Sequence, residues 1–227
     1  MLDYILTCCL IVFFPTYRLW RSFAARRVPA KMKSARYVYI RTIILAFGLV
    51  ACLAIDWCIT GRPASSLGLD IPLSKTGLIA LGISAPLMVV LGFMVRSRKS
   101  GKSQNDRQSI LLPQTRSDLF LFLLFSAIAG MSWELLYRGF LLWTLVPHIG
   151  LIASVAVATV AYGLAHGYKN MRQLVVSLVT ALVFTLAFAL SKSLWWLILI
   201  HITLPLLGLL AHWRGVKGPP SDPASLD

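Results

Sequence analysis

The chain has 227 residues, of which 58% are hydrophobic and 13% are charged, with a mean hydropathy of +0.76. A soluble domain carries about 45–50% apolar and about 25% charged residues, so this composition excludes an ordinary soluble domain. Lys and Arg total 22 against 8 Asp and Glu. In so apolar a chain this excess is typical of loops that face anionic lipid, and it does not indicate nucleic-acid binding.

Apolar segments predict an all-α polytopic membrane protein, a bundle of about seven transmembrane helices. They lie at about residues 4–17, 37–60, 76–95, 119–146, 151–165, 174–190 and 194–210. A helix needs about 20 residues to cross a hydrocarbon core of roughly 30 Å. The first segment is short, but no basic region precedes it and no cleavage site follows, so a membrane span is favoured over a signal peptide. The fourth and fifth segments are separated at Pro147-His148.

Basic residues concentrate in stretches 18–36 and 96–116, which predicts that the amino terminus lies outside and the carboxyl terminus in the cytoplasm. The outer segments then carry only Arg62, Lys75 and Lys192. We divide the chain into N-terminal helices with basic cytoplasmic loops at 1–117, a four-helix core at 118–211 and a proline-containing tail at 212–227 that is expected to be disordered. The four cysteines are expected to be buried hydrophobes, and Asp56 to face headgroups.

Glu134 is the only glutamate of the chain, and it stands with Arg138 in a run of large apolar residues. Residues four apart lie on the same helix face, so the two side chains are expected to pair. Each charge costs at least ~2.5–3.5 kcal/mol in hydrocarbon on insertion scales, so charges persist there mainly where they pair or do chemistry. The pattern predicts either a structural ion pair or part of a functional site.

Two histidines join Glu134 and Arg138 among the polar groups expected to be buried in the last four segments: His166 ends the fifth segment, and His201 lies within the seventh. A lone buried histidine is more often a core residue than a ligand or a base. Two histidines and a glutamate converging in one intramembrane cavity have the parts to activate water, either as general bases or through a bound divalent metal. With Arg138 they are expected to line one internal cavity, their side-chain tips within roughly 10 Å of a common point.

Segment 134–139 (ELLYRG), segment 162–166 (YGLAH) and His201 in the last span resemble, in order and spacing, the three motifs of the CPBP family. This family comprises the CAAX proteases and bacteriocin-processing enzymes, and its motifs run Glu-Glu-x-x-x-Arg, Phe-x-x-x-His and His-x-x-x-Asn. The resemblance covers roughly residues 118–210. It implies an intramembrane endopeptidase that hydrolyses a peptide bond with activated water, in an integral protein of a bacterial inner membrane.

Two positions depart from the motifs: Trp133 stands where the family has its first glutamate, and Pro205 where it has the closing asparagine. In the family, the first glutamate and the second-motif histidine are thought to activate water, and the last histidine with the asparagine to stabilise the oxyanion. The resemblance thus implies catalytic roles for the four residues that remain, Glu134, Arg138, His166 and His201. Either Glu134 serves as the base, or the activity is slow, or the fold persists without proteolysis.

The cofactor is either a divalent metal such as zinc, held by Glu134, His166 and His201, or none. The implied partners are membrane lipids and a peptide or membrane-protein substrate. The alternative function is that of a proteolytically inactive CPBP-like protein that binds a peptide, a lipid or a partner protein. A small-solute transporter is disfavoured because no internal repeat is apparent. One geometric problem remains: Glu134 lies about 24 Å along a span that begins at Asp118, whereas His166 lies near the inner end of its own span.

Overall fold

The computed structural model describes residues 1–27, 34–97, 112–113, 115–166 and 170–216, and this part of the chain contains helices and no strand. The α-helices are α1 (Leu2–Cys8), α2 (Phe14–Arg27), α3 (Ala35–Ile59), α4 (Lys75–Ser97), α5 (Arg116–Glu134), α6 (Leu141–Ala165), α7 (Met171–Ser191) and α8 (Trp195–Val216). The predicted all-α class is confirmed. Most of the second basic loop, and residues 217–227 of the expected tail, lie outside the described residues. Disorder was expected from residue 212. Residues 212–216 are instead helical, because no proline interrupts α8 there.

Among the described residues, five segments are long and apolar enough to cross a membrane: Leu2–Arg21, Ala35–Ile59, Lys75–Met94, Arg116–Ala165 and Met171–Ser191. A sixth apolar helix, Trp195–Leu210, is shorter. The segment Arg116–Ala165 has 50 residues, which would extend about 75 Å as one straight helix, more than twice the roughly 30 Å of a hydrocarbon core. It therefore contains two crossings, and the protein is an integral membrane protein.

The break between these two crossings lies at Gly150, whose backbone has φ 76° and ψ 167°. The sequence placed the break at Pro147-His148. Positive φ is accessible to glycine at little cost, so the chain stays helical past Pro147 and turns at the next glycine. Tyr137 and Tyr162, at comparable distances along the chain on either side of Gly150, have ring centroids 5.2 Å apart. The two arms therefore fold back on each other as a helical hairpin.

This hairpin removes the expected difference in depth between Glu134 and His166. Both residues lie the same number of positions from Gly150, on opposite arms. At 1.5 Å per residue each is about 24 Å from the turn. The arm before Gly150 begins at Arg116 and is longer than the membrane core is thick, which brings Glu134 level with the far end of α6.

The first span packs directly on this hairpin. A π-helical segment, Cys9–Phe13, joins α1 to α2 and precedes Pro15, which has no N–H to continue the regular ladder. Leu10 and Phe14 are buried in the same hydrophobic core as residues of the hairpin. The Tyr137 hydroxyl also donates a hydrogen bond of 3.1 Å to the carbonyl of Leu10. The first span therefore shares one hydrophobic core with region 118–211, although the division predicted from sequence places the two in separate parts of the chain.

Side-chain caps determine where the site-bearing helices begin. Thr115 Oγ1 accepts a hydrogen bond of 3.1 Å from the Asp118 N–H at the start of α5. Asn170 Oδ1 accepts one of 2.9 Å from the Gln173 N–H at the start of α7. Such caps satisfy amide groups that have no partner within their helix. Lys192, with φ 55°, ends α7 in the left-handed conformation, and α8 begins three residues later.

The cysteines do not lie where the sequence placed them. Cys8, Cys52 and Cys58 are exposed, Cys9 is half-buried, and all four are free. The expectation of buried cysteines was wrong because a membrane helix also presents apolar residues on its lipid-facing side, so hydrophobicity does not tell inward from outward.

Candidate active site

The site is built around a second π-helical segment, Leu135–Phe140, which follows Glu134 directly and whose six residues are all buried. Its Gly139 passes close to the 3₁₀ turn Ala64–Leu67: a Cβ added there would lie 2.7 Å from the Leu67 carbonyl oxygen. A larger residue would push this turn away from the helix. π-Helical turns of this kind are frequent at functional sites, and here the turn carries Arg138 beside Glu134.

Glu134 and Arg138 form an ion pair with no solvent exposure. Arg138 Nη1 lies 2.7 Å from Glu134 Oε1, and both side chains are 0% exposed. The guanidinium also stands over the ring of Tyr162, 3.8 Å from the ring centroid. A carboxylate without this partner would be strongly destabilising at such a position, so the pair is a condition for the fold as well as for any chemistry.

His201 joins this pair from α8. Its Nδ1 lies 2.9 Å from Glu134 Oε1, a close contact that is not aligned as a hydrogen bond, and its Nε2 lies 3.0 Å from the Tyr162 hydroxyl oxygen. The His201 side chain is 19% exposed. Close approach of α8 to α5 depends on Gly130, where an added Cβ would lie 3.3 Å from backbone and side-chain carbons of His201. Glu134, Arg138, Tyr162 and His201 are called the inner cluster below.

His166 lies at the edge of this arrangement. It is the C-cap of α6, its side chain is exposed, and its ring centroid is 5.2 Å from that of Tyr162. Glu134, Arg138 and His201 therefore lie together, and His166 stands at their edge against the Tyr162 ring. That all four residues line one internal cavity stays a prediction.

The two positions that depart from the family motifs offer no group to the inner cluster. Trp133 is half-buried, and its ring packs edge-on against Phe14 at 5.7 Å and tilted against Tyr137 at 6.2 Å. Pro205 lies about one turn after His201 inside α8 and has neither an N–H nor a polar side chain. Trp133 thus serves as part of the aromatic packing between the first span and the hairpin.

Tyr162 is the site residue that the sequence analysis missed. It is 7% exposed and contacts Arg138, His166 and His201. Its signal was present in the second motif, where the family has phenylalanine and this chain has a ring with a hydroxyl group. A phenol placed among ionisable residues indicates a hydrogen bond that phenylalanine cannot make.

A metal ion does not fit the residues present. Within the described part of the chain, no group of three or more His, Cys, Asp or Glu side chains is arranged to hold one. Arg138 already places a positive charge 2.7 Å from the Glu134 carboxylate, and that charge would repel a divalent cation at the same oxygens. His166, the third proposed ligand, is exposed at the edge.

Comparison with known families agrees with this class of protein, a helical membrane protein with a buried polar site. Residues 115–207 match the family model described as Type II CAAX prenyl endopeptidase Rce1-like. The match begins at the cap of α5, includes the whole inner cluster and His166, and covers less than half of the chain. No curated protein and no solved structure matches. The resemblance to the CPBP family is thereby confirmed for residues 115–207, and the chain is a membrane protein that contains this CAAX-protease-like region.

Proposed function

We propose that the chain is an intramembrane endopeptidase resembling CAAX prenyl proteases, and that it hydrolyses a peptide bond with water activated by His201 and Glu134. The observation that supports this proposal is the 2.9 Å contact between His201 Nδ1 and Glu134 Oε1, in which the carboxylate is fully buried and the imidazole is partly exposed. A buried carboxylate cannot take a proton directly from water that does not reach it. Glu134 therefore acts through His201, orienting its ring and stabilising its cationic form.

In this mechanism His201 Nε2 removes a proton from water while the water oxygen bonds to the peptide carbonyl carbon. The carbonyl oxygen becomes an oxyanion, and exposed His166, as a hydrogen-bond donor, stabilises it. The proton then passes from His201 to the peptide nitrogen, the carbon–nitrogen bond breaks, and a carboxylic acid and an amine are released. Arg138 holds the Glu134 carboxylate in place throughout. The roles of the two histidines are thus exchanged relative to those implied by the family motifs.

The proposed activity is slow because two groups of the family motifs are missing. A general base typically contributes about 10²–10⁴ in rate, and one oxyanion donor about 10²–10³. Trp133 cannot accept a proton, and Pro205 cannot donate one. His201 and His166 compensate for these losses only in part. Cleavage is therefore to be measured in single-turnover conditions with the protein in excess over the peptide.

The proposed setting is a bacterial inner membrane, with the amino terminus outside and the carboxyl terminus in the cytoplasm. The proposed partners are membrane lipids and a peptide or membrane-protein substrate. The excess of basic residues in stretches 18–36 and 96–116 supports this orientation. A reporter active only in the cytoplasm, fused after Asp227, should be active. Activity of a reporter that works only outside, fused at the same position, would reverse the orientation.

The test uses the full chain in nanodiscs and a membrane-embedded or prenylated peptide with a fluorophore and a quencher flanking the scissile bond. The unmodified protein should cleave it, and His201→Gln and Glu134→Gln should each abolish cleavage. His166→Gln should lower the rate by about 10²–10³, the value of one oxyanion donor. His148→Gln is the matched control, because His148 is an exposed histidine outside the site, and its rate should equal that of the unmodified protein. Equal cleavage by all four variants would assign the signal to a contaminating protease.

The second candidate function is peptide, lipid or partner binding without hydrolysis, and the packing of Trp133 between Phe14 and Tyr137 favours it. An aromatic side chain built into the core at the position of the family's water-activating glutamate is compatible with a site that only binds. In that case the folded protein should fail to cleave, while a photo-crosslinking version of the same peptide is still captured. Capture that persists in His201→Gln, together with no cleavage of a peptide that a related protease cuts, would favour this function.

A further inference from the structure

Tyr162 makes a contact that conflicts with the proposed use of His201. Its hydroxyl oxygen lies 3.0 Å from His201 Nε2, the nitrogen that faces away from Glu134. In the tautomer that carries its proton on Nδ1, Nε2 has only a lone pair, and the phenol must be the donor. The nitrogen that would take a proton from water is then already occupied by a protein hydroxyl.

The surroundings of Tyr162 hold this hydroxyl in place. The ring is 7% exposed and lies between the Arg138 guanidinium, 3.8 Å from its centroid, and the ring of Tyr137, 5.2 Å away and nearly perpendicular. The cation against the ring and the aromatic contact fix its orientation independently of the hydroxyl. Removal of the oxygen alone therefore leaves the ring where it is.

We propose that Tyr162 is a positioning residue that holds His201 in a closed arrangement, and that His201 can accept a proton from water only when the Tyr162 hydroxyl has left Nε2. The inference rests on the proposed function for its catalytic part, whereas the contact between the two side chains can be tested without it. A net hydrogen bond is worth about 0.5–1.5 kcal/mol, which corresponds to a factor of about 2–10 in the fraction of open sites.

Tyr137 supplies a matched control for this experiment. It is also a buried tyrosine, and its hydroxyl donates to a backbone carbonyl, that of Leu10, at 3.1 Å. Tyr137→Phe removes the same atom from the same aromatic group without touching His201. Tyr162→Phe and Tyr137→Phe should therefore have similar thermal stability in nanodiscs, and any difference between them at His201 comes from the hydroxyl on Nε2.

The experiment records ring ¹⁵N spectra of the full chain labelled at histidine, with the His201 signals assigned by their loss in His201→Gln. In Tyr162→Phe the imine nitrogen of His201 should move to the position of one without a hydrogen bond, and in Tyr137→Phe it should not move. Cleavage of the quenched peptide by Tyr162→Phe should show kcat raised about 2- to 10-fold with KM unchanged.

Three results overturn the proposal: a His201 spectrum that is the same in Tyr162→Phe, the same change in Tyr137→Phe, or a kcat that is unchanged or lower in Tyr162→Phe. The spectral change without cleavage by any variant would support the hold of Tyr162 on His201 and overturn the proposed function instead. The failure of one idea is thereby distinguished from the failure of the other.

Discussion

Two clusters in the described part of the chain each combine an arginine with carboxylate and aromatic side chains, and they differ in exposure. The boundary cluster, at the end of α3, consists of Asp3, Asp56, Trp57, Arg62 and Trp143. There the arginine lies 2.9 Å from one carboxylate and 3.2 Å from the other, and its guanidinium stands 4.9 and 4.8 Å from the two tryptophan rings. Its side chain is 24% exposed. In the inner cluster, the arginine has one carboxylate and no exposure.

The difference lies in how completely each charge is satisfied. At the boundary, two carboxylates accept from one guanidinium, and water can complete whatever the protein leaves open. In the inner cluster Glu134 Oε2 and Arg138 Nε and Nη2 are buried and have no hydrogen-bond partner in the described part of the chain. Buried polar atoms without a hydrogen-bond partner lower the stability of the folded protein. Their presence in this site is therefore not explained by stability. We infer that the boundary cluster fastens helices together, whereas the inner cluster is arranged for chemistry.

The largest expected effect comes from removing each arginine. Arg138→Ala leaves a buried carboxylate unpaired and should lower the free energy of unfolding by about 3–5 kcal/mol. Arg62→Ala should lower it by about 1 kcal/mol or less, the usual range for partly exposed ion pairs. Both are measured by unfolding in detergent on the same preparation. Equal losses for the two variants would contradict the distinction between the clusters.

Glu134→Gln is the control for the first of these variants. It removes the charge and keeps the shape, so the protein should remain folded with Arg138 still able to donate to the amide oxygen. If Glu134→Gln unfolds as readily as Arg138→Ala, the loss comes from packing and not from an unpaired charge. Asp56→Asn is the corresponding control for Arg62→Ala in the boundary cluster. It should remain folded, because Arg62 keeps Asp3 as a partner.

The next largest effect is a gain of activity at the positions that depart from the family. Trp133→Glu together with Pro205→Asn restores a proton acceptor and an oxyanion donor. Cleavage of the quenched peptide should rise by at least about 10²-fold, the lower end of the contribution of a general base. This change would give the inner cluster the catalytic groups that it lacks. The boundary cluster has no such role, so the two clusters would then differ more in function.

The stability of that double variant must be followed in the same samples. Replacing a packed tryptophan by a smaller side chain can cost about 3–5 kcal/mol, since Phe14 and Tyr137 lose a neighbour. Trp133→Gln with Pro205→Asn is the matched control, because it has the size of glutamate without its basicity. Equal rates for the Glu and Gln versions would show that the carboxylate adds no catalysis.

A smaller effect is expected from moving the two sides of the inner cluster apart. Gly130→Ala places a Cβ 3.3 Å from carbons of His201, so α8 must shift by a few tenths of an ångström. Overpacking of this kind costs roughly 1–3 kcal/mol, and cleavage should fall as His201 moves away from Glu134. Gly208→Ala is the control, because no atom lies within 4 Å of its added Cβ. Unchanged cleavage in Gly130→Ala would indicate that the spacing of α5 and α8 is not critical.

The inner cluster could be predicted from sequence further than the boundary cluster. Glu134 and Arg138 are four residues apart in an apolar run, so local helix geometry predicts their pairing, and the motif order points to His201. No local pattern pairs Asp3 with Arg62, which are separated by most of two spans and meet only through tertiary packing. Asp56, which the sequence placed toward headgroups, forms an ion pair with that same arginine.

Other features depended on geometry that hydrophobicity does not encode. A membrane helix can present apolar residues to lipid as well as to the core, which is why the exposed cysteines and the first span's packing on the hairpin were not predicted. The turn at Gly150 was missed by a few residues because Pro147 is the stronger breaker in sequence alone. The exposed position of His166 follows from where α6 ends, and helix ends are the least certain boundaries to read.

The smallest expected effect concerns Asp70, a carboxylate in the loop before α4 that belongs to neither cluster. Its Oδ2 accepts a hydrogen bond of 2.7 Å from the Ser74 N–H at the start of that helix. Burial raises the pKa of the Asp70 carboxyl, but this hydrogen bond and others lower it more, so the pKa lies below its usual value. A lowered folded-state pKa means that Asp70 stabilises the protein above about pH 4, and that this contribution is lost as the pH falls through the folded-state value. The free energy of unfolding is measured for the unmodified protein and for Asp70→Asn from pH 6 to pH 3. At pH 6 the unmodified protein should be more stable by about 1 kcal/mol, and this difference should shrink toward pH 3. A difference that stays constant over this range would mean that the carboxylate charge does not contribute.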